Sequence, residues 1–183
     1  MSITYPVSFP SSIGISKFTL RYVKAVAKTE SPFNYKQQVH DFGGGRWEAE
    51  VTIPPLNTAD SLTFQAFLVS LHGCAGTFTM AHPLHNTAGV SRRITGSVGD
   101  NDADFNGSVS AGMYFEANDH LYLTLESGTT NVAIQPPLRN TFSNSLIDAT
   151  LPAGTWRLAS SQVEWTTDNS SNTPFTFACV EAL

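Results

Sequence analysis

The sequence predicts a mainly β chain, an antiparallel β-sandwich with one packed α-helix at about residues 58–72, on three observations. Apolar residues fall on alternate positions in most of the ordered-looking segments, as in strands with one face in a core and one in water. Turn residues, among them Gly112, Asn118-Asp119, Ser127-Gly128 and the run 152–154, punctuate the second half at roughly the spacing of an antiparallel sandwich. A single stretch, 57–73, carries its apolar residues at helical spacing instead.

The first strand signal is 18–27, with Phe18, Leu20 and Tyr22 on one side before the pattern becomes mixed. The run 47–53 alternates throughout. Trp47, Ala49, Val51 and Ile53 share one face, while Glu48, Glu50 and Thr52 share the other, which should be wet. Pro54-Pro55 ends it, because proline donates nothing to a ladder. Gly43-Gly44-Gly45 precedes a strand rather than a helix. It reads as a flexible turn that lets two strands diverge, not as a phosphate cradle.

For the helix, Asn57 is a suitable N-cap and Asp60 places a negative charge near the positive end of the dipole. Phe64, Phe67, Leu68 and Leu71 form its apolar stripe, with Ser61, Gln65 and Ser70 facing elsewhere, and His72-Gly73 closes it after about four turns. Residues 73–111 read as irregular or short-stranded, with a strand at 76–80 and an acidic loop at 98–107. Strands return at 113–116, 120–126, 131–134, 155–159, 162–166 and 175–181. Ile53-Pro-Pro-Leu and Ile134-Gln-Pro-Pro-Leu look alike, but two short matches establish no repeat. The expected organisation is one β-rich domain over 1–183, with a sandwich and helix core in 1–85, variable strands and loops in 86–150, and closing strands in 151–183.

The 183 residues are enough to bury roughly 70% of the unfolded surface and to build a core without staples. Only 14% of them are charged, and Ser, Thr, Asn and Gly supply most of the polarity. Such a surface is cheap to desolvate against a partner. Ten basic residues against fifteen acidic ones, thinly spread, give no concentrated cationic face for a phosphate backbone. No stretch approaches the length of an apolar membrane span. The start, Met1-Ser-Ile-Thr-Tyr-Pro, lacks a basic and apolar signal, so synthesis and folding in a cytoplasm are expected. In that compartment Cys74 and Cys179 are expected as small apolar residues rather than a disulfide, and Asn106-Gly-Ser and Asn169-Ser-Ser as turns.

Catalysis needs a positioned base beside a nucleophile, or paired carboxylates in a cleft. The chain has no Gly-x-Ser-x-Gly elbow and no His-Glu-x-x-His, so no catalytic residue, cofactor or enzymatic activity is expected. Asp100, Asp102 and Asp104 alternate as in a hard-cation loop, but Phe105 stands where the loop's glycine belongs and Ala111 where its last acid belongs. A solvated turn is the expected state. Cys74, His82 and His85 are the best transition-metal ligands by type, yet no fourth ligand is near in sequence, and no metal is expected.

Phe33, Tyr35 and Phe42 lie in 31–42, a segment with a proline near its start between two strands. They either extend the core or sit on a long hairpin that packs on a neighbouring subunit, where aromatics are enriched. The segments 30–40 (Glu30-Ser-Pro-Phe-Asn-Tyr-Lys-Gln-Gln-Val-His), 44–56 (Gly44-Gly-Arg-Trp-Glu-Ala-Glu-Val-Thr-Ile-Pro-Pro-Leu), 66–73 and 76–78 form an ordered series. Together with 156–165 and the ending 175–183, this series resembles the distal tail (tail-tip hub) proteins of long-tailed bacteriophages and gene transfer agents. The resemblance brackets nearly the whole chain, although Ala81-His82-Pro83 stands where the family has Gly-Asp-Pro, and 86–150 matches only in strand rhythm.

That resemblance implies a structural virion protein: a hexameric ring, built around a β-sandwich with a helix, at the distal end of the tail. The ring joins the tail tube to the tail tip or baseplate, with the tube protein, tip and hub proteins and the tape measure as neighbours. DNA passes through its lumen without specific binding, which suits an acidic chain. Phe33, Tyr35 and Phe42, with Asp100, Asp102 and Asp104, are the expected assembly contacts. The rival readings are a carbohydrate-binding β-sandwich on the virion surface, another tail ring such as a tube terminator or connector, and a small cell-wall hydrolase.

Overall fold

The computed structural model describes residues 3–83, 91–165 and 173–183. Their strands are β1 (Val7–Ser8), β2 (Lys17–Glu30), β3 (Gln37–Leu56), β4 (Phe78–Ala81), β5 (Ser91–Gly96), β6 (Asp102–Phe105), β7 (Tyr114–Ala117), β8 (His120–Thr124), β9 (Val132–Gln135), β10 (Phe142–Asp148), β11 (Ala153–Leu158) and β12 (Thr173–Glu181). One helix, α1 (Thr58–Ser70), joins them. With 52% of the structure in strands, the mainly-β expectation with one helix holds.

The arrangement of those strands departs from an antiparallel sandwich. Six of them form one mixed sheet in the order β1-β4-β11-β12-β3-β2, with β1 parallel to β4 and the other neighbours antiparallel. The other six close into a barrel, β10-β5-β6-β9-β8-β7, in which β10 pairs with both β5 and β7. Short strands separated by regular turns suit a barrel and a sandwich equally, and the sequence does not say whether the last strand returns to the first. Closure here also removes strand edges.

Each assembly has its own core. Trp47, Val51 and Ile53 of β3, as the alternation predicted, join Phe78, Trp156 and Phe175 beneath the helix. Ile94, Phe105, Phe115, Tyr122 and Ile134 fill the barrel. On the helix, Phe64, Phe67, Leu68 and Leu71 are buried as expected. Phe64 meets Phe175 edge-on with ring centroids 4.9 Å apart, and Phe67 meets Phe78 at 5.6 Å. Ser61 does not face away: it lies one turn before Phe64 on the same stripe and is buried, its Oγ accepting a hydrogen bond from Gln65 Nε2 at 3.0 Å.

Four other expectations are corrected. Pro54-Pro55 does not end its strand: β3 runs through both to Leu56, which pairs with Thr173 beyond a register shift. The glycine run does not let strands part. β3 continues through it, with Phe42, Gly43 and Gly44 opposite Ala25 in a bulge between the pairs Lys24↔Gly45 and Val26↔Asp41. Gly43 takes φ +77°, a conformation that side chains with a Cβ rarely adopt. The acidic loop is in part a strand, β6, with Ala103 and Phe105 inside the barrel and Asp102 and Asp104 outside. Residues 162–165 are not a strand. Val163 and Trp165 are apolar because they pack against the sheet core, and residue 166 lies outside the described residues.

Asn57 Oδ1 accepts from the Asp60 backbone N–H at 3.0 Å, closing the first turn of α1. Asn57→Ala should cost about 1 kcal/mol of stability. In a thermal melt followed by circular dichroism, that is a fall in Tm of about 2–4 °C for a chain of this size. An unchanged Tm would mean that the cap contributes nothing.

Candidate assembly interface

The pairing of β2 with β3 continues well past the sheet. β12 accompanies β3 only as far as the pair Val180↔Glu48, whereas β2 stays with β3 out to Glu30↔Gln37. From Tyr22↔Trp47 to that outer pair, the strands rise over eight residues, a projection of roughly 25 Å before the turn. Along this arm, Ala25 to Glu30 and Gln37 to Gly43 are all exposed.

The arm carries apolar groups on both faces and at its end. Val26 and Val39 share one face with the ion pairs Lys24–Asp41 and Lys28–Glu30, each 3.4 Å long. Ala27, His40 and Phe42 share the other, where the His40 and Phe42 rings pack edge to face with centroids 4.6 Å apart. Phe33 is 94% exposed, Tyr35 74% and Phe42 64%. Of the two readings of these aromatics, extension of the core is therefore excluded, and the hairpin remains.

The other three residues named for assembly lie in the barrel. Asp100 Oδ2 accepts from the Ser97 backbone N–H at 2.8 Å, and Asp104 Oδ1 from that of Asn131 at 2.8 Å, so both carboxylates brace turns. Among the described residues, no three or more His, Cys, Asp or Glu side chains are grouped to hold a metal ion. His82 stacks on Tyr114 with centroids 4.7 Å apart and meets Phe18 edge-on, while His85 lies outside the described residues. Cys74 and Cys179 are both free thiols, and burial pushes the Cys179 thiol up to about 12.

The root of the arm rests on a buried polar cluster that sequence reasoning missed. Arg139, just before β10, donates from Nε to Glu181 Oε1 at 3.1 Å and from Nη2 to Glu181 Oε2 at 2.9 Å. The same Nη2 donates to the Gly45 carbonyl at 2.6 Å, and the Trp47 backbone N–H donates to Glu181 Oε2 at 3.1 Å. His120 Nδ1 lies 3.6 Å from Glu181 Oε1. Nearby, Trp47 Nε1 donates to the Leu121 carbonyl at 2.8 Å, the Arg139 backbone N–H donates to Tyr122 Oη at 3.0 Å, and Tyr22 Oη donates to Gln135 Oε1. One signal in the sequence marks Glu181. Phe175, Phe177 and Cys179 set the inward parity of β12, and Glu181 continues it.

Burial works against the Glu181 charge, but the nearby His120 imidazole, the hydrogen bonds and charge of Arg139 and the Trp47 N–H outweigh it, leaving the carboxyl below its ordinary value. Burial likewise raises the Tyr122 phenol to about 12, against the opposing pull of the Arg139 N–H and charge.

No family model matches the chain, and no curated protein matches it.

A carboxyl whose folded value is depressed contributes its full stability above the ordinary glutamate range, and loses it as pH falls through the folded value. Stability of the native chain should therefore decline below about pH 4.5. Glu181→Ala should cost about 3–5 kcal/mol at neutral pH by stranding Arg139, and should flatten that acid decline. Denaturant melts at pH 7 and pH 4 test both effects, and equal pH slopes for variant and native protein would refute the assignment. Thiol labelling of the folded chain should modify the partly exposed Cys74 and leave Cys179 untouched until denaturant is added. Labelling of both cysteines in the native state would contradict the burial of Cys179.

Proposed function

We propose that the chain is a structural protein that closes into a hexameric ring at the distal end of a long phage tail, between the tail tube and the tip. The observation that carries this reading is the arm. A two-stranded hairpin standing alone in water is marginally stable, and one with apolar groups on both faces and an aromatic tip gains by being covered. The ordered series of segments that resembles the distal tail proteins includes both the arm tip at 30–40 and the arm root at 44–56.

Its role is mechanical: to hold its neighbours in register while DNA passes a weakly repelling wall. The formal net charge of −5 and the outward Asp102 and Asp104 of the barrel suit such a wall. The neighbours in this reading are further copies of the chain, the tail tube protein, the tip and hub proteins and the tape measure. Its place is the virion tail after synthesis in the host cytoplasm.

Negative-stain electron microscopy of the purified protein, with its mass in solution, tests the ring: six-fold annuli with a central hole are expected. A strict monomer at every concentration would favour a surface binding module and direct attention to glycan binding. Replacing Phe33 and Tyr35 together with alanine should raise the concentration needed for assembly at least about tenfold, as loss of an aromatic anchor does. The far-ultraviolet spectrum and Tm should stay unchanged. A double variant that folds as the native chain does and assembles at the same concentration would remove the arm tip from the interface.

A further inference from the structure

We propose that the arm tip of one protomer, led by Phe33, seats in an apolar cleft beside Met80 on a second copy of this chain. The proposal rests on the ring reading above and names the surface that receives the arm. The cleft, about 530 Å³ in volume, is lined by Phe9, Ile13, Ile15, Met80, Leu151 and Ala153. It is formed where the chain between β1 and β2 passes over β4 and the start of β11, and its volume lies in the range of pockets that bury an organic ligand.

The tip is a preorganised knob. Tyr35 N–H donates to the Ser31 carbonyl at 2.9 Å, Ser31 N–H to the Lys36 carbonyl at 2.9 Å, and Lys36 N–H to Asn34 Oδ1 at 3.1 Å. Tyr35 holds φ +55°, a conformation unusual for so bulky a residue. The turn thus fixes Phe33 outward in water, where it touches little of its own chain, and a rigid knob loses little freedom on docking.

The tip cannot fill the cleft of its own protomer. Ser16 N–H bonds the Thr52 carbonyl at 2.9 Å and Lys17 pairs with Thr52, which fixes the start of β2 directly after the cleft residue Ile15. From there β2 runs extended through thirteen further residues to Glu30, roughly 40 Å away. The bulge at Ala25 bends this path without reversing it. Knob and cleft are different patches present on every copy, so mutual filling is head-to-tail, the contact type that closes into a ring when the rotation permits.

Disulfide trapping tests the contact. In a Cys74→Ser background, with Cys179 buried, one protein carries Lys36→Cys at the tip and a second carries Leu151→Cys at the cleft rim. Any link between them is intermolecular. Mixed and mildly oxidised, this pair should link at least about tenfold more than Lys36→Cys mixed with Leu146→Cys on the exposed barrel surface, because docking raises the effective concentration. Adding Phe33→Asp to the tip protein should abolish the difference.

Rings that form while both pairs link equally would overturn the cleft assignment and leave the ring reading intact. Links dominated by tip to tip would overturn it in favour of a symmetric arm contact. Absence of rings and of any excess linking would sink both.

Discussion

The fork between Arg139 and Glu181 is the contact on which the relation of the chain's parts depends. Glu181 belongs to the sheet, Arg139 and His120 to the barrel and its approach, and Gly45 and Trp47 to the root of the arm. A buried carboxylate is tolerable only if its lone pairs are occupied, and here the guanidinium and a backbone N–H occupy them, with the His120 imidazole 3.6 Å away. Such a site contributes less to net stability than apolar packing of the same volume would. What it adds is direction, since each donor has one geometry in which it reaches the carboxylate. Barrel, sheet and arm all meet at this one acid.

That direction matters because of leverage. An arm roughly 25 Å long moves its tip about 2 Å for about five degrees of rotation at its root. Apart from the pairing of β2 with β3, the root is steadied by the bond from Arg139 to the Gly45 carbonyl and by the contact of Tyr22 with Gln135. Tyr22 also packs against Trp47, with ring centroids 5.1 Å apart, and Trp47 is tied to Leu121 of the barrel. Gly45 itself has no room for a Cβ, because the Tyr22 ring occupies that space. The barrel is therefore a buttress for the arm as well as a separate core.

Much of the sheet and helix was legible because local pattern and final environment agree. The alternation of Trp47, Ala49, Val51 and Ile53 survives as the buried face of β3, and Asn57 caps the helix it was expected to cap. The misreadings share a cause: local chemistry consistent with two folded outcomes. Asp102 and Asp104 looked like a solvated turn because alternating acids also suit the outer face of a short strand. Ser61 looked polar and outward until a hydroxyl bond to Gln65 made it tolerable inside. Arg139 and Glu181 lie 42 residues apart and carry no local sign of their meeting, beyond the inward parity of Glu181. Phe33 and Tyr35 were ambiguous because an aromatic left exposed on a hairpin and one buried in a core have the same composition.

The arm's edges bear on what kind of contact it can make. β2 is the outermost strand of the sheet, and past Glu48 the other side of β3 has lost β12, so both margins of the arm offer backbone groups. Long exposed margins invite strand addition and open-ended pairing. Here the margin is blunted by Lys24 and Lys28 in β2 and by the three-residue bulge in β3, devices that discourage a foreign strand from pairing in register. Association through backbone ladders is thus disfavoured, while the aromatic side chains of the arm stay accessible. A rigid aromatic knob sets one rotation between neighbours, whereas a ladder can slip in register. A chain that closes into the ring proposed above, rather than polymerising, would gain from that difference.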